Sequence, residues 1–178
     1  MKWSKEARAH IISGCYAQWG INNKKVLDVG CGDALVSEII SRDLNLDLHG
    51  TDILDYRKKD IKFKVMESPD RLPFESSSFD LVMLNDILHH TQNIEGLILE
   101  AKRVGGQILI FEDCESMFLK SIDLVLNYFY CRHMPCPLNF KTEYEWIELF
   151  KKLNLNYVSG KPEYPWWYPL RHMVFKLN

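Results

Sequence analysis

The sequence predicts an α/β protein built on a mostly parallel sheet with helices on both faces. Three observations carry this expectation. Short apolar segments alternate with amphipathic ones through about residue 113, the pattern of repeated βα units. The run Phe79 to Leu84 is almost wholly apolar, as suits a strand covered on both faces. The turn Gly30-Cys31-Gly32-Asp33 lies between an apolar strand and a helix. With 178 residues, 47% of them hydrophobic, the chain has material for one sizeable core. A single domain over 1–178 is expected.

In chain order, Ile11, Ile12, Cys15, Tyr16 and Trp19 recur at helical offsets within 7–19, so 1–20 is expected to hold a cap helix packed on the main body. Gly20 and Asn22-Asn23 end it. Residues 24–29 read as the first strand and 34–40 as the helix after the glycine turn. Strands are expected at 47–53, 61–66, 79–84 and 107–111, with a helix at 94–102 stopped by Gly105-Gly106. Further on, Phe118, Ile122, Val125, Leu126 and Phe129 form a helical stripe within 117–130. Thr142 with Glu145 suggests a capping box for a helix at 142–153. Residues 155–158 and 172–177 read as an antiparallel pair at a sheet edge, and 114–140 as an acceptor-side insertion.

Composition removes several classes of function. Lysine and arginine total 22 against 24 aspartates and glutamates, a net charge of -2, too weak a field to steer a polyanion; nucleic acid is not an expected partner. No apolar run approaches the roughly 18 residues of a membrane span, and the charged, aromatic start lacks a secretory apolar region, so the expectation is a cytoplasmic protein with no membrane partner. The five cysteines include no C-x-x-C pair, which gives no support to a disulfide framework or a zinc site. Cys131, His133 and Cys136 lack an evident fourth ligand. No metal is expected.

A glycine turn between strand and helix lets the backbone approach a ligand at the positive helix N-terminus. Asp52 follows Gly32 by 20 residues, at the end of the second strand, where its carboxylate can accept two ribose hydroxyls. A dinucleotide site normally completes G-x-G-x-x-G, but Leu35 stands at the third glycine and Asp33 puts a negative group near the phosphates. A nucleoside with a cationic centre fits Asp28, Asp33 and Asp52 better. S-adenosylmethionine is such a ligand.

Val26-Leu27-Asp28-Val29-Gly30-Cys31-Gly32-Asp33 closely resembles the first motif of the class I S-adenosylmethionine-dependent methyltransferases. The resemblance continues, in family order and spacing, at Gly50-Thr51-Asp52-Ile53, at Leu72-Pro73-Phe74 with Ser78-Phe79-Asp80-Leu81-Val82, and at Asn85-Asp86-Ile87-Leu88-His89-His90. A weaker likeness extends through Asn139-Phe140, Thr142 and Glu145-Trp146. The family's K-P-G-G before the fifth strand is shortened here to Arg103-Val104-Gly105-Gly106. The resemblance implies a Rossmann-like sandwich whose seven-stranded sheet has its last strand antiparallel between the fifth and sixth.

The resemblance further implies that Asp28, Gly30 and Gly32 surround the methionine part of S-adenosylmethionine, that Asp52, followed by Ile53, binds the ribose, and that residues near Glu67, Ser68 and Asp70 edge the adenine. Asn85 and Asp86 would line the cleft where methionine and acceptor meet. Candidate groups for removing an acceptor proton are Asp86, His89, His90 and His133, although either member of the histidine pair could simply begin a helix and bond locally. Tyr164, Trp166, Trp167 and Tyr168 are either a cap on the core or part of an acceptor pocket. The expected activity is in-line transfer of a methyl group to a nucleophilic atom of a small organic acceptor. The alternatives are a protein or RNA acceptor, or a catalytically silent cofactor-binding subunit of the same fold. The N-P-P-[YF] signature of relatives that methylate bases and glutamine is absent after the fourth strand, where Asn85-Asp86-Ile87-Leu88 stands. Oligomeric state is not legible in the sequence.

Overall fold

A computed structural model describes residues 2–113, 139–168 and 170–178, with side chains from residue 5 onward. The helix expected at 117–130, most of the expected insertion and His133 lie outside the described residues. A helix α1 (Lys2–Ala17) leads into β1 (Lys25–Val29), α2 (Leu35–Leu44), β2 (Asp47–Asp52), β3 (Lys62–Val65), β4 (Phe79–Asn85), a short 3-10 turn (Leu88–His90), α3 (Ile94–Val104) and β5 (Gly105–Asp113). Then follow α4 (Glu143–Lys152), β6 (Tyr157–Gly160) and β7 (His172–Leu177). The strands form one sheet in the order β3-β2-β1-β4-β5-β7-β6. The pairs from β3 to β5 are parallel, and β7 runs antiparallel to both β5 and β6. This is the Rossmann-like α/β sandwich expected, with the last strand inserted between the fifth and sixth.

The central strands β1 and β4 are buried on both sides, as their near-continuous apolar runs require. One face of the sheet packs Leu27, Val82, Leu84, Ile108 and Ile110 against α3 and against Trp146, Leu149 and Phe150 of α4. The opposite face packs Val26, Leu81, Met83, Leu109 and Phe111 against Ile39 and Ile40 of α2 and Ala9, Ile12, Cys15 and Tyr16 of α1. Helix α4 starts at the expected capping box, with Thr142 and Glu145 each accepting the other's backbone N–H, an arrangement worth about 1 kcal/mol.

One strand boundary is corrected, and one glycine pair does more than expected. Gly105-Gly106 stops α3 at Val104 as expected, but α3 passes directly into β5, and Gly105 pairs with Phe79 of β4. A Cβ on Gly105 would lie 2.6 Å from Val82 Cγ2, so the glycine serves close strand approach rather than chain reversal. Strand β6 lies two residues later than expected, because the Leu155 N–H still donates to Phe150 O at the end of α4. Gly160 instead ends the strand against Trp19, whose Cζ2 a Cβ there would meet at 2.9 Å.

Candidate active site

Strand order reverses between β1 and β4, and in open parallel sheets ligands collect beyond the strand ends at such a switch point. A cleft of about 270 Å³ opens there, lined on the sheet side by Asp28, Gly30, Gly32, Asn85, Asp86 and Asp113. Lys5 and Arg8 of α1 and the pair His89-His90 complete its wall. Gly30 and Gly32 both have positive φ, +74° and +54°. The first is close-packed, since a Cβ would lie 2.6 Å from Ile87 Cδ1, whereas a Cβ on Gly32 would meet nothing within 4 Å and would project into open space. The turn thus exposes backbone at Gly32 where a side chain would occupy the ligand's room.

Asp28 is buried at the end of β1, accepting hydrogen bonds from Ser37 Oγ at 2.6 Å and Asn85 Nδ2 at 3.3 Å. Burial pushes its carboxyl up to about 7 despite these two donors. Asn85 is oriented in turn by Tyr16, whose hydroxyl donates to Asn85 Oδ1 at 2.6 Å. Asp52 accepts the backbone N–H of Gly32 at 2.9 Å and of Ile53 at 2.7 Å. That bond ties the end of β2 to the glycine turn and fixes the carboxylate beside it. Ile53 packs on the core. The cleft's lining does not include Asp52, Ile53, Glu67 or Ser68; Ser68 donates to Asp70, which also accepts from Asn93.

Asp86 has φ +50°, a conformation rarely taken by residues with a Cβ and characteristic of strained functional turns. It is held from two sides: its N–H donates to Phe111 O at 2.8 Å, and Arg8 Nη1 lies 2.6 Å from its Oδ2. Burial raises the Asp86 carboxyl and Arg8 partly offsets this, while Asp86 in turn raises Arg8. Lys5 makes a similar pair with Asp33 at 2.8 Å. Helix α1 therefore sets two cations at the mouth of an acidic cleft.

The two adjacent histidines divide in role. His89 is buried, stacks on Phe140 and places Nδ1 2.6 Å from Glu112 Oε2. Glu112 Oε1 accepts the backbone N–H groups of Ile87 and Leu88, which locks the 3-10 turn. Burial lowers the affinity of His89 for its proton, but the hydrogen bond and charge of Glu112 outweigh it and bring the pKa to about 9. His90 is pushed down to about 4 by burial and by the neighbouring His89. At neutral pH His89 is a cation tied to Glu112, and His90 is a neutral imidazole on the cleft wall.

The structure thus gathers Asp28, Gly30, Gly32, Asn85, Asp86 and His89 in one cleft and joins Asp52 to it through Gly32. Sequence reading missed Lys5, Arg8, Tyr16, Glu112 and Asp113. Lys5, Arg8, Ile12 and Tyr16 do share a helical stripe, and Glu112-Asp113 ends a strand; both signals were present, but nothing in the sequence placed α1 beside the glycine turn.

The fold is a seven-stranded α/β sheet with a glycine turn and a strand-end acid at its switch point. Residues 27–111 match the family model described as a methyltransferase domain. The match and this topology give the chain a methyltransferase domain over 27–111 on a Rossmann-like sheet. No curated protein matches the sequence. Among solved structures it is similar to the Burkholderia thailandensis 1,6-didemethyltoxoflavin-N1-methyltransferase with bound 1,6-didemethyltoxoflavin and S-adenosylhomocysteine, at 16% identity over 98% of this chain and 79% of that one, with a TM-score of 0.71. It is also similar to the Synechocystis magnesium protoporphyrin IX methyltransferase with bound S-adenosylhomocysteine, at 12% identity, 98% and 83% coverage and a TM-score of 0.65. A third similar chain, from Haloferax volcanii, was solved in complex with the Trm112 methyltransferase activator, at 14% identity, 97% and 88% coverage and a TM-score of 0.66. Among the described residues, no helix is long and apolar enough to cross a membrane.

Proposed function

We propose that the chain binds S-adenosylmethionine across the ends of β1 and β2 and transfers its methyl group to a small organic acceptor. The observation that carries the reading is the Gly32 N–H to Asp52 Oδ2 bond of 2.9 Å. It sets a ribose-binding carboxylate beside a backbone turn with no side chain in the ligand's way. Asp28, Gly30, Gly32 and Asn85 would hold the methionine part, Asp52 the ribose, and Ile53, Glu67 and Ser68 the adenine side. Bound there, S-adenosylmethionine supplies an already activated methyl group on a cationic sulfur.

The protein then has to orient an acceptor and exclude water. Asn85 is held by Tyr16 and Asp28, and Asp86 by Arg8 and the backbone of β5, so both present fixed polar groups to the cleft. Asp86, His89 and His90 on the cleft wall are the groups within reach of an acceptor proton. His133 remains a further candidate for this proton.

A small acceptor is supported by the α1 side chains across the cleft's mouth, and the Burkholderia relative's named ligand is small too. The acids within the cleft disfavour a nucleic-acid backbone. A protein acceptor, or a role as a partner subunit, is the second reading; the activator complex of the Haloferax relative and the exposed Trp166 favour it. With the fold's likeness to enzymes of a soluble cofactor, the expected location is cytoplasmic. Incubating the protein with radiolabelled S-adenosylmethionine and a cell extract, then separating label by size, tests the reading. Label in a small product chromatographically distinct from S-adenosylmethionine, formed only with the protein present, supports it; label transferred to protein or RNA alone contradicts it.

A further inference from the structure

We infer that Asp86, Asp113 and His172 form a divalent-cation site at the acceptor end of the cleft. The three residues end adjacent strands: Asp86 follows β4, Asp113 closes β5, and His172 opens β7 directly opposite Asp113 in the antiparallel register. One ligand atom from each lies within 4.8 Å of the others.

The independent observation is His172. Its side chain is fully buried, and neither ring nitrogen has an aligned hydrogen-bond partner. A buried imidazole with no aligned hydrogen bond is costly, yet this one is held firmly in place. Its ring stacks on Phe111 at 4.2 Å between centroids, and its backbone N–H donates to the Tyr164 hydroxyl at 2.7 Å. Nε2 lies 2.9 Å from Asp113 Oδ1, but out of line for an N–H donor. Two ligands at right angles around a cation with bonds of about 2.1 Å stand about 3 Å apart, close to this separation.

Asp86 Oδ1 and Asp113 Oδ1 are also buried without hydrogen-bond partners. Arg8 engages the other oxygen of Asp86, leaving Oδ1 turned away from that pair. Asp86, Asp113 and the nearby Glu112 against Arg8 and the charged His89 leave a net negative charge for a cation to neutralise. Two carboxylate oxygens and one imidazole suit Mn²⁺, Fe²⁺ or Zn²⁺ better than Ca²⁺, which takes oxygen alone. Because Asp86 and Asp113 line the cleft, the cation's open positions would face it and could take an acceptor oxygen. That last role rests on the methyl-transfer reading; the site itself does not.

The test is titration of the full chain with Mn²⁺ alone, followed by calorimetry and by pulsed electron paramagnetic resonance. The expected result is one saturable Mn²⁺ per chain with nitrogen modulation from a directly bound imidazole. Binding should weaken at least tenfold in Asp113→Asn, lose the nitrogen modulation in His172→Gln, and tighten in Arg8→Gln, which removes a competing cation. Absence of saturable binding to the folded wild type overturns the site. So does Mn²⁺ bound without nitrogen modulation, a reading that needs no variant to fold, or binding unchanged in folded Asp113→Asn. S-adenosylmethionine binding is measured separately in metal-free buffer, so failure of either claim is distinguishable from failure of the other.

Discussion

Arg8 Nη1 lies 2.6 Å from Asp86 Oδ2, joining the first helix of the chain to a strained residue at the end of β4. The pair is mostly buried, so removing one partner leaves the other desolvated and unpaired. Arg8→Ala should therefore destabilise the fold by about 2 kcal/mol, between the values for exposed and fully buried pairs. Asp86→Asn should cost less, and the double variant should fall well short of the sum. Urea unfolding of the four proteins measures this, and additive effects would mean that the pair does not couple α1 to the site.

Asp52→Ala removes the acceptor of the Gly32 and Ile53 N–H groups together with the proposed ribose contact. S-adenosylmethionine affinity should drop at least tenfold. Gly32→Val should abolish binding, since its side chain enters open cleft at a φ of +54° that valine resists. Calorimetry on both variants checks this, with circular dichroism confirming that each is folded.

Burial raises the Asp28 carboxyl to about 7 in the free protein. A cationic ligand favours the carboxylate over the acid, so binding should release a proton from Asp28. Affinity is then flat above about pH 7 and falls up to tenfold per unit below it. Asp28→Asn should flatten the profile. A wild-type affinity independent of pH in this range would show that Asp28 is not beside the cationic methionine portion.

His89 has a folded pKa of about 9 through Glu112, above its unfolded value of about 6.5. Its contribution to stability is complete below about pH 6.5 and is lost as pH rises through about 9. Thermal unfolding across that window should show a decline that Glu112→Gln removes. Glu112→Gln should also loosen the 3-10 turn, because Oε1 accepts two of its N–H groups, and amide exchange at Ile87 and Leu88 would report it.

Much of the fold was legible because its signals are local. The unbroken apolar run of β4, the glycine turn after β1 and the Thr142 to Glu145 capping box each express a short-range rule. The Gly105-Gly106 pair was read correctly as the end of α3, but its second role, close approach of β5 to Val82, needed the long-range contact. In the site, Asp28, Gly30, Gly32 and Asn85 were found by their place at strand ends. Arg8, Tyr16 and Glu112 were not, since each reaches the cleft through a long-range contact: Arg8 to Asp86, Tyr16 to Asn85 and Glu112 to His89. The assignment of separate roles to His89 and His90 likewise needed Glu112 in position.

The most direct measurement is a crystal structure of the protein soaked with S-adenosylhomocysteine. The account predicts the sugar hydroxyls on the Asp52 carboxylate and the amino-acid portion beside Asp28 and Gly32, with the sulfur facing Asn85 and Asp86. A nucleoside bound on any other surface, or a crevice at the β1 and β2 ends that stays closed by side chains, would contradict it.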